Sequence, residues 1–154
     1  MLNYILIIIF LLFINQDQNK MKEIPMNKII IEQTEKLIES GTSYDLEALD
    51  LIYSQELRIV RVDEKSNVMV IDKKDNMAFF RAKKEFGEAP LSRKTEFHYA
   101  EIKGDRGYVF LTRIMKLNER WEELKYHIEW KKEDGRWQVV HENVYAQPLN
   151  NGNY

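Results

Sequence analysis

Lys132-Glu133-Asp134-Gly135-Arg136-Trp137-Gln138-Val139-Val140 places a tight turn between two runs of β-forming residues. Aspartate and glycine accept the positive backbone angles of a two-residue hairpin turn, so the flanks read as paired antiparallel strands. The same reading applies at Gly104-Asp105-Arg106-Gly107. Working outward from these turns, β-rich stretches fall at about 94–103, 107–117, 124–133 and 136–147, a meander that fills the C-terminal half.

The N-terminal half has a different period. Ile30, Thr34, Leu37 and Ile38 recur at helical spacing over about Asn27 to Ser40, with Gly41 as a stop and Thr42-x-x-Asp45 as a capping-box-like restart. A shorter helix then carries Leu46, Leu49 and Tyr53 on one face. Leu57–Val62, the polar turn Asp63-Glu64-Lys65-Ser66 and Val68–Ile71 form a hairpin pattern. Asp72 is placed to cap a third helix, with Asp75 in its first turn and Met77, Phe79, Phe80 and Phe86 as apolar positions. Gly87 and Pro90 end it. Three helices followed by a meander predict an α+β fold with the helices packed on one face of the sheet.

The 154 residues suit one domain, and 44% hydrophobic with 31% charged residues is a folded rather than a disordered balance. A net charge of −2 argues against binding a nucleic-acid backbone. With no cysteine, disulfides, thiolate metal sites and cysteine nucleophiles are excluded. Ile5 to Ile14 is an uninterrupted apolar run, too short for a stable membrane span, which needs about 20 residues. It suits the apolar core of a signal peptide, although no Lys or Arg precedes it and no small-x-small site follows. A true start at Met21 or Met26 is the alternative, and an uncleaved anchor a third. A signal over residues 1–20 implies export to the periplasm; otherwise the protein is cytoplasmic. The expected organisation is a leader or mis-assigned start with spacer over 1–25, a domain over 26–148 and a loose tail over 149–154.

Tyr44-Asp45-Leu46-Glu47-Ala48-Leu49 through Tyr53, Leu57–Asp63 and the 132–140 hairpin together resemble the nuclear transport factor 2-like superfamily, in its SnoaL-like or DUF4440-type branch. The resemblance covers about 27–148. It implies a cone, in which a strongly curved mixed or antiparallel sheet wraps a pocket closed by the three helices of the N-terminal half, usually in a dimer. It does not imply one activity, because members include isomerases, dehydratases, cyclases, hydrolases and binding modules.

Unbroken pairing outward from the turns sets Ile128 opposite His141, Trp130 opposite Val139, His98 opposite Arg113, and Arg113 opposite Ile128. Partners across strands share a face, so an apolar face that includes Val109, Leu111, Leu124 and Trp130 also collects Glu96, His98, Arg113, His141, Asn143 and Tyr145. Arg113, His98, His141, Tyr126, Asn143 and Tyr145 are accordingly the candidate ligand-binding residues of an apolar pocket with a cationic end. Such an end suits the oxygen of a carboxylate or an enolate. His141 and His98 are the candidate catalytic proton carriers.

Three functions stay open: small-molecule binding, a cofactor-independent lyase or isomerase, and a structural or dimerisation module with a filled pocket. The plainer roles are Arg113 bonded to backbone or to Glu35 or Glu39, Glu96 as a rim residue, and Asp63 as a turn residue. The opposite face carries Lys125, His127, Glu129 and Lys131 beside Phe97, Tyr99, Tyr108, Phe110 and Ile114. A half-apolar outer face of this kind suits a homodimer interface. No metal site is expected, since His127 falls opposite the other two histidines and no His-x-His or His-Glu-x-x-His spacing occurs. No cofactor is implied, and neither a Gly-rich phosphate loop nor a Gly-x-Ser-x-Gly elbow is present.

Overall fold

The computed structural model describes residues 23–117 and 119–149. The apolar run Ile5–Ile14 and the tail beyond Leu149 lie outside the described residues. Helix α1 spans Lys28–Ser43, capped by Asn27, whose side chain accepts from the Ile29 and Ile30 N–H groups. It runs through Gly41 rather than stopping there, because the Thr42 and Ser43 hydroxyls fold back onto the Glu39 carbonyl and prolong the last turn. Thr42 is therefore not a cap. The chain leaves at Tyr44, which takes the left-handed conformation at φ 56°. Asp45 caps α2, Leu46–Ile52, by accepting from the Ala48 N–H.

Tyr53 opens β1, Tyr53–Val62, which pairs antiparallel with β2, Val68–Asp72. Asp72 caps α3, Lys73–Glu85, as the sequence predicts. Of the expected apolar positions on α3, Met77 is buried and Phe80 packs against the core, whereas Phe79 is exposed and Phe86 is 83% exposed. Buried positions on that helix go instead to Asn76 and to Lys73, whose ammonium reaches the Asp50 carbonyl and carboxylate. The meander follows as β3, Thr95–Lys103, β4, Arg106–Leu117, β5, Arg120–Glu133, and β6, Arg136–Pro148.

The six strands form one open sheet in the order β2-β1-β6-β5-β4-β3. Every pairing is antiparallel except β1 with β6, which run parallel. The predicted α+β class holds, with a mixed sheet. That parallel contact brings the N-terminal hairpin against the last strand and sets Tyr53 beside Val139. The core lies between helices and sheet and includes Ile30, Leu37, Leu49, Leu57, Leu111 and Trp130. Gly107 lets α1 approach closely: a Cβ there would stand 2.6 Å from Ile30 Cδ1.

Two irregularities redirect side chains. On β3 the pairing shifts between Phe97 and Tyr99, so Tyr99 opposes Phe110 and Phe97 opposes Leu111, with His98 as the extra residue. On β6 Trp130 opposes Val139 as predicted, but Glu129 then opposes His141, leaving Val140 unpaired. A one-residue bulge turns every later side chain to the other face until it is compensated. The turn between β4 and β5 is also tighter than expected: Leu117 pairs with Arg120, and Arg113 therefore with Leu124 rather than Ile128. That shift is even-numbered and preserves the face.

Candidate functional site

Arg113 lies on the helix-covered face at 9% exposure, and its Nη2 donates to the Ser92 carbonyl at 2.8 Å. It thus takes the backbone partner that the plainer reading assigned it. Tyr126 opposes Leu111 on the same face. The other predicted site residues do not join them. The bulge at His98 turns that ring to the outer face, where Nε2 stands 2.8 Å from Thr112 Oγ1. The bulge at Val140 does the same to His141, Asn143 and Tyr145.

The expected grouping of Arg113 with both histidines is therefore corrected: the sheet separates them. His127, expected to stand apart from the other histidines, shares their face. Glu96 also points outward, 3.9 Å from His98 Nδ1, and its side chain is largely exposed. Asp63 is a turn residue whose carboxylate accepts from the Lys65 and Asn67 N–H groups. Among the described residues no group of three or more His, Cys, Asp or Glu is arranged to hold a metal ion.

The bulge that expels His141 brings in Glu142. Its carboxyl occupies the covered face opposite Ile128 and Ile59, at 5% exposure. Burial pushes it up to about 7, against the opposing influences of the Tyr53 hydroxyl and the Arg113 guanidinium. Tyr53, itself 4% exposed, is held well above the ordinary phenol range by burial and by Glu142, with Asn76 acting in the other direction. Burial also raises Tyr126, while Arg113 pulls it down.

Glu142, Tyr53, Asn76, Tyr126 and Arg113 thus form one polar cluster within an apolar core. Two of its donors, Asn76 Nδ2 and Arg113 Nε, are buried without an acceptor in hydrogen-bond geometry, as is Trp130 Nε1 farther along β5. Chemically, the cluster offers donors to an oxygen acceptor, and a carboxyl that exchanges its proton near neutrality.

Glu142 was missed because its strand was read in one phase only. Counting from Val139 puts His141 inward, but counting back from the small apolar residues Ala146 and Val144 puts Glu142 inward. This conflict of phase within one strand is the signal of an inserted residue. Tyr53 and Asn76 carried no comparable signal, since their helix-to-strand and helix-to-sheet placement depends on the parallel pairing.

Among the described residues, two depressions open at the surface. One, of about 630 Å³, lies on the outer face and is lined by His98, Tyr99, Tyr108, Phe110, Thr112 and His127 among others. The other, of about 340 Å³, lies beside α1 and β3 between Glu35, Glu39, Arg93 and Phe97.

No protein-family model matches the sequence, and no curated protein matches it. Solved structures do. An NTF2-like protein from Cytophaga hutchinsonii is 20% identical with a TM-score of 0.62, over 79% of this chain and 99% of that one. An NTF2-like protein of unknown function from Shewanella baltica is 15% identical with a TM-score of 0.62, over 80% of this chain and 99% of that one. An NTF2-like protein of unknown function in nutrient uptake from Rhodospirillum rubrum is 20% identical with a TM-score of 0.58, over 75% of this chain and 96% of that one. At these identities the likeness concerns the fold, and the fold is the NTF2-like one that the resemblance implied.

Proposed function

We propose that this NTF2-like domain binds a small molecule against the covered face of its sheet, in a site with apolar walls and a cationic end at Arg113. One observation carries this reading: Arg113 Nε and Asn76 Nδ2 are buried donors that make no hydrogen bond of good geometry, although Asn76 acts on the Tyr53 hydroxyl and Arg113 on the Tyr126 hydroxyl, in a cluster that also holds Glu142. A buried unmet donor costs about 1–3 kcal/mol, and the oxygen of a carboxylate or carbonyl would relieve it. From the expected ligand-binding set, Arg113 and Tyr126 belong to this site; His98, His141, Asn143 and Tyr145 lie across the sheet from it.

The test is native mass spectrometry of the purified full chain for a retained ligand, followed by a thermal-shift panel of small carboxylates on wild type and Arg113→Ala. A carboxylate that raises the melting temperature of wild type only is the expected result. No retained ligand and no responding carboxylate would sink the reading and leave a structural module with a filled core.

The position of Glu142 favours a second reading, a cofactor-independent lyase or isomerase. In it Glu142, rather than His141 or His98, carries the proton, and Arg113 stabilises an oxyanion. Glu142→Gln would then keep ligand binding and lose turnover; an equally active variant would end that reading. The outer face, where Phe110 and Tyr145 are exposed beside Tyr99 and Tyr108, supports a homodimer through that surface.

A further inference from the structure

We propose that the outer face closes on a second copy of this chain only while His127 is neutral. The inference rests on the homodimer reading and adds its regulation. The His127 ring stacks on Phe110, centroids 4.5 Å apart and planes at 14°, and Tyr99 meets Phe110 edge-on at 6.0 Å. Asn143 stands between two histidines. Its Nδ2 donates to His127 Nδ1 at 3.4 Å, and its Oδ1 accepts from His141 Nε2 at 3.2 Å.

An amide has a single oxygen, so Asn143 accepts from one ring and must donate to the other. In this arrangement His127 keeps its proton on Nε2 and presents Nδ1 as an acceptor. A proton added at Nδ1 sets donor against donor, and relieving it requires the amide to turn and His141 to shift its own proton to Nδ1. Partial burial and His141 also hold His127 below the ordinary imidazole range, while Glu129 works in the opposite direction.

The carboxylates facing this ring are already paired with cations. On its own strand, Glu129 is paired with Arg106 at 2.9 Å and Lys125 with Glu123 at 3.2 Å. From β4 come Tyr108 and Thr112, and from β3 come His98, engaged by Thr112, and the Glu101–Lys103 pair. Arg58 of β1 lies in register with His141 across β6 and adds positive charge.

A second copy is the occupant these charges fit. Glu101–Lys103, Arg106–Glu129 and Glu123–Lys125 surround the aromatic depression as pairs of opposite sign. A two-fold axis can bring such a mixed surface onto itself with complementary signs, whereas a polyanion or strongly charged peptide needs one sign. Covering the depression strips water from His127 and makes its charged form costlier, so the proton and the partner exclude one another.

Sedimentation equilibrium of the full chain between pH 8 and 5.5, with circular dichroism at each pH to confirm folding, tests this. With two His127 side chains per dimer, the dissociation constant should rise as pH falls across this range. His127→Gln should dimerise equally at both ends, and Asn143→Asp, whose carboxylate favours the charged ring, should move the weakening to higher pH. A wild-type dimer as tight at pH 5.5 as at pH 8, or one that weakens equally with His127→Gln, overturns the proton control while leaving the dimer. A monomer at pH 8 overturns the dimer reading and this inference with it.

Discussion

Glu142 buries its carboxyl beside the Tyr53 hydroxyl on the helix-covered face, with Arg113 the cation that opposes the effect of burial. A carboxyl placed this way ties folding to pH. Its folded-state value of about 7 lies above the ordinary 4.5, so between these values the folded protein holds a proton that the unfolded chain has released. The contribution of this group is complete below about pH 4.5 and is lost as pH rises to about 7. The loss is on the order of 3 kcal/mol. Urea unfolding at pH 5 and pH 8 should show wild type losing stability relative to Glu142→Gln as pH rises. A difference between the two proteins that does not change with pH would refute the assignment.

Removing the opposing cation should push the same carboxyl higher. Arg113→Met keeps much of the side chain's volume and takes away its charge, leaving Glu142 with burial less well compensated. Carboxyl-carbon NMR titration should place Glu142 above about 7 in this variant and nearer to that value in wild type. An unchanged titration would mean that Arg113 does not act on it.

Gly107→Ala tests the contact between α1 and the sheet. The added Cβ would meet Ile30 Cδ1 at 2.6 Å and Trp130 Cβ at 3.2 Å, with Ile30 fully buried. Overpacking of this kind costs about 1–3 kcal/mol. Ile30→Val removes the nearer carbon and should restore part of the loss in the double variant. Denaturant midpoints of the two single variants and the double variant measure the coupling.

Asp72→Ala removes the side chain that accepts from the Asp75 N–H at 2.9 Å, where β2 passes into α3. The expected cost is about 1 kcal/mol, read as a lower thermal midpoint. Asp72→Asn, which keeps the accepting oxygen, should recover most of it.

Much of the fold could be read from local chemistry. The four strands of the meander differ from their predicted spans mainly at the ends, and the Asp134–Gly135 turn has the positive backbone angles its residues suggest, φ 48° and 78°. The Asp72 cap and the face shared by Arg113, Tyr126 and Leu124 were equally legible. The Gly41 stop was not, because a glycine ends a helix only if the residues after it do not continue the turn, and Thr42 and Ser43 do.

The candidate site was much less legible. Arg113 and Tyr126 were placed on the helix-covered face, where they stand, while His98, His141, Asn143 and Tyr145 were placed on the wrong side and Glu142 on none. Periodicity, turn residues and caps act over a few neighbours, and these alone determined the elements and the α+β class. Which side chain enters the cone depends on where each strand accommodates an extra residue. That choice is made by packing between distant segments: Val144 and Ala146 settle under the helices from one end of β6, Val139 from the other, and the mismatch is absorbed at Val140. Because side chains alternate at every residue, that single insertion exchanges a histidine for a carboxyl in the core.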